Sequence, residues 1–185
     1  MKNDLKNMLS LDLFFSGLND GKNQFAFSEE KNSSMPLLSW DFFSLINSER
    51  LENLKLSKDI ETVKAIAKKH RWENDINTIF KENDFEALVI TDIDQKIVWV
   101  NDGFSKMTGY PKRFAMNKNP KFLQGKQTSE ASKNEIKRNL KRSQPFRKVI
   151  TNYKKDGTEY KCELKVFPLY TDKTTHFIAL EKQVV

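Results

Sequence analysis

Apolar residues change their spacing near Phe85, from helical steps before it to strand-like runs after it. Leu56, Ile60, Val63 and Ala67 step by 4, 3 and 4, which predicts a helix from Leu56 to His70 with Ser57 as a candidate N-cap. This seam covers about two heptads, so core packing and dimerisation both stay open as its purpose. A second helical piece is expected from Asp75 to Glu82, with Ile76, Ile79 and Phe80 on one face. Further upstream, residues 1–35 hold short apolar patches (Leu11–Phe15 and Phe25–Phe27) broken by Gly, Asn and Ser, and Glu29–Ser34 is polar. Little independent structure is expected there beyond one short helix. Pro36 and Ser39 introduce the apolar cluster Trp40–Ile46, which needs a surface to bury against.

After Phe85 the runs Ala87–Thr91 and Lys96–Val100 predict two strands joined by a hairpin-like connection, Asp92-Ile93-Asp94-Gln95. Short helical segments are expected at Asp102–Thr108, near Lys112 and near Asn119, and a longer helix from about Thr128 to Arg142. Three strands follow, roughly Phe146–Tyr153, Thr158–Phe167 and Thr175–Lys182, with Asp156-Gly157 turning between the first two. The order strand, strand, helices, then three strands predicts an α+β fold with one antiparallel sheet. In the penultimate strand Tyr160, Cys162, Leu164 and Val166 share one face and Glu159, Lys161, Glu163 and Lys165 the other. Cys162 therefore points inward, where an inert packing role is the default for a lone thiol.

At 185 residues the chain can hold one well-packed domain and extra elements. It has no apolar run long enough to span a membrane and no signal-peptide pattern at its start. A single cysteine excludes an internal disulfide and a multi-cysteine metal site, so a cytoplasmic protein is expected. The net charge of +7 is concentrated in the second half, where residues 83–185 carry +8 and residues 1–82 carry −1. Lys133, Lys137 and Lys141 recur every four residues on the longer helix, beside Arg138 and Arg142. Such a stripe can track phosphates. It lacks base-reading motifs and interleaved aromatics, so a solvated helix face is the better account and nucleic acid is not an expected partner.

Residues 117–125 read Asn-Lys-Asn-Pro-Lys-Phe-Leu-Gln-Gly. This resembles the run Gly-x-Asn-Cys-Arg-Phe-Leu-Gln-Gly of the LOV (light-oxygen-voltage) branch of the PAS superfamily, whose cysteine attacks photoexcited flavin. Pro120 stands at the cysteine's position. Asn101–Tyr110, Asn152–Thr158 and His176–Ala179 are also similar to PAS segments, in PAS order and spacing. The resemblance covers about residues 75–183. It implies a five-stranded antiparallel sheet with helices over one face, here with an N-terminal helical extension. The division expected is thus 1–35 poorly structured, 36–74 helical extension and 75–185 PAS domain.

The LOV resemblance also implies a flavin site, for FMN or FAD. Asn119 and Gln124 match its polar residues, and Lys121 replaces an arginine without that residue's bidentate fork. Asn152 matches the first of two strand asparagines, the second falls on Cys162, and the signalling glutamine of the last strand aligns with Glu181. The longer loop before the second LOV strand is missing. These departures leave a flavin-based redox or ligand sensor and an apo interaction scaffold as the two readings. Haem is not expected, since the long helix holds no histidine. No catalytic constellation is found, because Cys162 and His176 fall on opposite faces and no phosphate loop, HExxH or Gly-x-Ser-x-Gly occurs. A metal site is likewise not expected. The expectation is a non-enzymatic sensory module, homodimeric, acting through its N-terminal helices or a downstream signalling partner. Its outward-facing Ile178 and Leu180 need a cover, and the extension can supply one, from its own chain or from a second protomer.

Overall fold

In the computed structural model the described residues are 40–184, and those from Ile46 onward form one compact unit. The expectations for residues 1–39, and for the side chains of Trp40–Leu45, lie outside what is described. Helix α1 runs from Trp40 to His70 and α2 from Ile76 to Lys81. Strands β1 (Ala87–Asp92) and β2 (Ile97–Val100) follow, then α3 (Asp102–Thr108), α4 (Lys112–Ala115), a 3-10 turn at Pro120–Leu123 and α5 (Glu130–Arg142). Strands β3 (Phe146–Tyr153), β4 (Glu159–Tyr170) and β5 (Thr174–Val184) complete the chain. The sheet is antiparallel throughout, in the order β2-β1-β5-β4-β3. None of the described helices is long and apolar enough to cross a membrane.

Local chemistry explains the element ends. The Asp75 carboxylate caps α2 by accepting from the backbone N–H of Asn77 and Thr78. Asp92 Oδ1 accepts from Lys96 N at 2.8 Å and closes the β1–β2 hairpin, with Gln95 in the left-handed region. Ser57 is not an N-cap, contrary to expectation. Helix α1 begins seventeen residues earlier, at Trp40, and the Ser57 hydroxyl donates to Asn53 O inside it. Gly103 is forced by proximity, since a Cβ there would sit 1.8 Å from the Glu86 carbonyl oxygen.

Because both faces of the sheet are covered, β1 is buried along nearly its whole length. Ala87 and Val89 join Phe104, Ile150, Tyr160 and Cys162 on the inner side. Leu88 and Ile90 join Ile178, Leu180, Val63, Ala67, Trp72 and Ile76 on the outer side. Helix α1 of the extension, together with α2, thus covers Ile178 and Leu180 from the same chain, as the apolar outer face requires. Each such aliphatic residue stabilises the fold by about 1.5–3 kcal/mol as an upper estimate. The helical seam is only half used, however. Val63 is fully buried and Leu56 is 40% exposed, with Leu51 and Leu54 more exposed still.

Candidate functional site

The inner face of the sheet, the 3-10 turn and α5 enclose a cavity of about 470 Å³. That volume lies within the range of small-molecule pockets. The sheet contributes an apolar floor that includes Val89, Ile150, Val166 and Ala179, into which Asn152 and Glu181 are set. Alternation along β3 and β5 places both of these polar residues inward.

Five of the six residues singled out in the sequence come together here. Asn119, Lys121, Gln124, Asn152 and Glu181 all line the cavity. Asn119 Oδ1 accepts from Lys121 N at 3.1 Å, capping the turn that Pro120 begins, and its Nδ2 donates to Gln95 Oε1 at 3.4 Å. Gln124 ends the same turn. Asn152 is buried in the wall and does not cap the Asp156-Gly157 hairpin, where Asp156 Oδ1 accepts from Thr158 N instead. Cys162 is the exception. Its thiol does face inward, yet it is enclosed by the core beside Ile150 and Tyr160 and is not part of the cavity wall. Burial first, and the Glu181 carboxyl second, push that thiol well above the usual range, so it is no nucleophile.

Glu181 is the unusual group. It is 5% exposed, and its Oε2 has no hydrogen-bond partner. Burial pushes its carboxyl up to about 7, and Lys121, exposed at the rim, does not offset this. Tyr160 on β4 also has a buried hydroxyl, within reach of the Asn152 side chain though without a close hydrogen bond, and burial followed by Glu181 raises its pKa while Asn152 opposes the rise.

A tight corner supports the wall next to Gln124. Thr128 Oγ1 donates to Thr151 O at 2.6 Å and accepts from Gly125 N at 2.9 Å. The Tyr153 ring lies against Gly125, where a Cβ would come within 2.3 Å of it. The Tyr153 hydroxyl accepts from Gln127 N and donates to Glu159 Oε1. Sequence reasoning missed further polar residues of the cavity, among them Gln95, Glu130, Lys133, Asn134 and Lys137. The lysines do carry a signal in their four-residue spacing, which by itself fits a solvated helix face equally well. Part of that stripe faces the cavity, and Lys133 is paired with Glu130 at 2.6 Å.

The PAS domain family profile matches residues 86–182, the sheet and the helices around this cavity. The chain belongs to the PAS domain family. Within that family it is similar to the blue-light photoreceptor of Listeria monocytogenes, at 36% identity over 102 residues covering 53% of this chain and 40% of that protein. The nitrogen fixation regulatory protein of Klebsiella oxytoca is 27% identical over 100 residues, 53% of this chain and 20% of that protein. The PAS domain thus spans well under half the length of these curated relatives. Among solved structures, the LOV domain of the Erythrobacter litoralis blue-light activated histidine kinase superposes with a TM-score of 0.52 at 27% identity, covering 55% of this chain and 97% of that one. The PAS domain of the fruit-fly ELK potassium channel gives 0.52 at 26% identity, covering 60% and 98%. This PAS domain accordingly has LOV relatives both in sequence and in structure.

Proposed function

We propose that this PAS domain is a LOV-like sensory module, not an enzyme, that takes a flat heteroaromatic ligand of the flavin class in its inner cavity. The observation that supports the reading is the cavity itself, an apolar floor with Asn152, Gln124 and Glu181 converging on it. These residues fit a ring edge rich in hydrogen-bonding groups, and Lys121, Lys133 and Lys137 fit an anionic tail at the mouth, such as the phosphate of FMN or FAD. When bound, a flavin would supply blue-light absorption and one- or two-electron redox chemistry. Asn152 and Gln124 would orient the ring and the apolar floor would keep water from it. Pro120 offers no thiol, so the response would run without the covalent step of its light-sensing relatives.

Output would pass through α1 and α2, which lie on the opposite face of the same strands that line the cavity. The visible absorption spectrum of the purified protein tests the reading. Oxidised-flavin bands that survive gel filtration support it, and a spectrum that stays clear after reconstitution with FMN and with FAD sinks it.

A second reading is an apo dimerisation scaffold. Its support is the apolar surface left on α1, where Ile46, Leu51 and Leu54 are all about half exposed. In that case a homodimer would persist in protein free of any bound chromophore.

A further inference from the structure

Among the described residues, the Glu181 carboxyl is the only acid in the cavity wall that is set within the sheet. Its ladder partners are Ala87 on β1 and Leu164 on β4, neither of which offers it a side-chain hydrogen bond. The charged and titratable groups around it come from every neighbouring element. From β4 these are Tyr160 and Cys162, and from just ahead of β1 Glu86, whose backbone N–H donates to the Glu181 carbonyl oxygen. From the mouth they are Lys121 on the 3-10 turn and Glu130, Lys133 and Lys137 on α5. None of the ion pairs among the described residues includes Glu181. Its Oε2 is buried and unpartnered, and the residue lines the cavity. A buried polar atom with no partner costs free energy that a complementary ligand atom would recover.

We propose that Glu181 makes ligand capture in this cavity depend on a proton. The neutral acid donates a hydrogen bond to an acceptor, a carbonyl oxygen or ring nitrogen, on the edge of a planar heteroaromatic ligand. The inference rests on the flavin-class reading and adds its regulation. Ionised, the same carboxylate turns lone pairs towards the ligand's acceptor and loses the donor, so the ligand is repelled. The value of about 7 reached through burial places the change within the physiological range. A carboxylic acid held neutral by an apolar site so that it can donate is established chemistry in other proteins.

The test titrates riboflavin and FMN, followed by flavin fluorescence, into wild type and Glu181→Gln from about pH 5.5 to about pH 8.5. Riboflavin carries no phosphate, so its profile is free of phosphate ionisation and of changes at the lysine rim. Wild type should lose affinity about tenfold per pH unit above the Glu181 titration, and the glutamine variant should show a flat profile. Carboxyl-carbon NMR of Glu181 in the ligand-free protein gives a second readout, expected to show the acid form at pH 6. Parallel profiles in the two proteins overturn the inference while leaving the flavin reading intact. A Glu181 already ionised at pH 6 without ligand overturns it as well. Failure of both flavins to bind either protein at any pH overturns the flavin reading and this inference together.

Discussion

The Asn101 side-chain amide donates to the Asp59 carboxylate at 2.8 Å, joining α1 to the start of α3. The same side chain's Oδ1 accepts from Leu88 N at 2.9 Å and Phe104 N at 3.0 Å. One buried residue thus caps α3, satisfies an N–H of β1 and holds the covering helix.

Asn101→Ala removes all three bonds and leaves buried backbone donors without partners. It should cost about 2–4 kcal/mol, read as a lower urea midpoint. Asp59→Ala breaks only the link to α1. It should cost about 1–2 kcal/mol and speed amide exchange in α1 while α3 stays protected. Equal effects of the two substitutions on α3 exchange would contradict this division of labour.

Val63 is fully buried between α1 and the sheet. Val63→Asp places an unpaired charge against Leu88 and Ile178 and should cost at least 3 kcal/mol, on the order of an uncompensated buried charge. The variant should bind a hydrophobic dye on the freed outer face and aggregate on storage. An unchanged melting temperature without dye binding would mean that the helix is a passive cover. Shortening the chain by residues 1–72 should have the same consequence.

Much of this was readable in the sequence. Alternation in β4 placed Tyr160, Cys162, Leu164 and Val166 on one face, and in β5 it set Ile178 and Leu180 apart from Phe177 and Glu181, because a strand's period is two residues whatever packs on it. The need to cover Ile178 and Leu180 followed from their apolar character alone. Pairings across long sequence separations did not show. Asp59 with Asn101 lie 42 residues apart, and the rings of His70 at the end of α1 and His176 on β5 come within 4.5 Å of each other. Cys162 shows the limit of the same rule. Facing inward is a property of the strand, whereas lining a cavity depends on whether neighbours such as Ile150 and Tyr160 close over the side chain.

Gly125 lies where α5 is approached from the 3-10 turn, and Gly125→Ala would drive a methyl group into the Tyr153 ring. The ring is tied down by its hydroxyl bonds to Gln127 N and Glu159, so it cannot swing away freely. Overpacking of this kind should cost about 1–3 kcal/mol and loosen the wall beside Gln124. Gly125→Ala combined with Tyr153→Ala should regain part of the loss, and a double variant no better than the sum of the singles would argue against the clash.

If flavin is bound, illumination should give the same difference spectrum in wild type and Cys162→Ala. The only thiol in the chain is enclosed outside the cavity, and its high pKa keeps it protonated. A light-induced change lost on removing Cys162 would place the thiol at the ring after all.

The last prediction concerns how stability depends on pH, where two groups act in opposite directions. The Glu181 carboxyl rises from 4.5 in the unfolded chain to about 7 in the fold. Between those values the folded state holds a proton that the unfolded state has lost, so stability falls as pH rises through this window. At 1.36 kcal/mol per pH unit the loss is roughly 3 kcal/mol, and Glu181→Gln should remove it. His176 behaves oppositely. Its ring lies 4.5 Å from that of His70 and 5.1 Å from Trp72, and its Nδ1 is 3.0 Å from Thr175 Oγ1. Burial, and then the His70 charge, hold its pKa below 6.5, while Asp92 opposes them. The unfolded chain therefore takes up the proton first, and stability is lost as pH falls below about 6.5. His176→Leu should flatten this acid limb without touching the Glu181 window. Urea midpoints across pH for wild type, Glu181→Gln and His176→Leu separate the two limbs. Should Glu181→Gln leave the slope between pH 4.5 and 7 unchanged, the buried carboxyl is not what sets it.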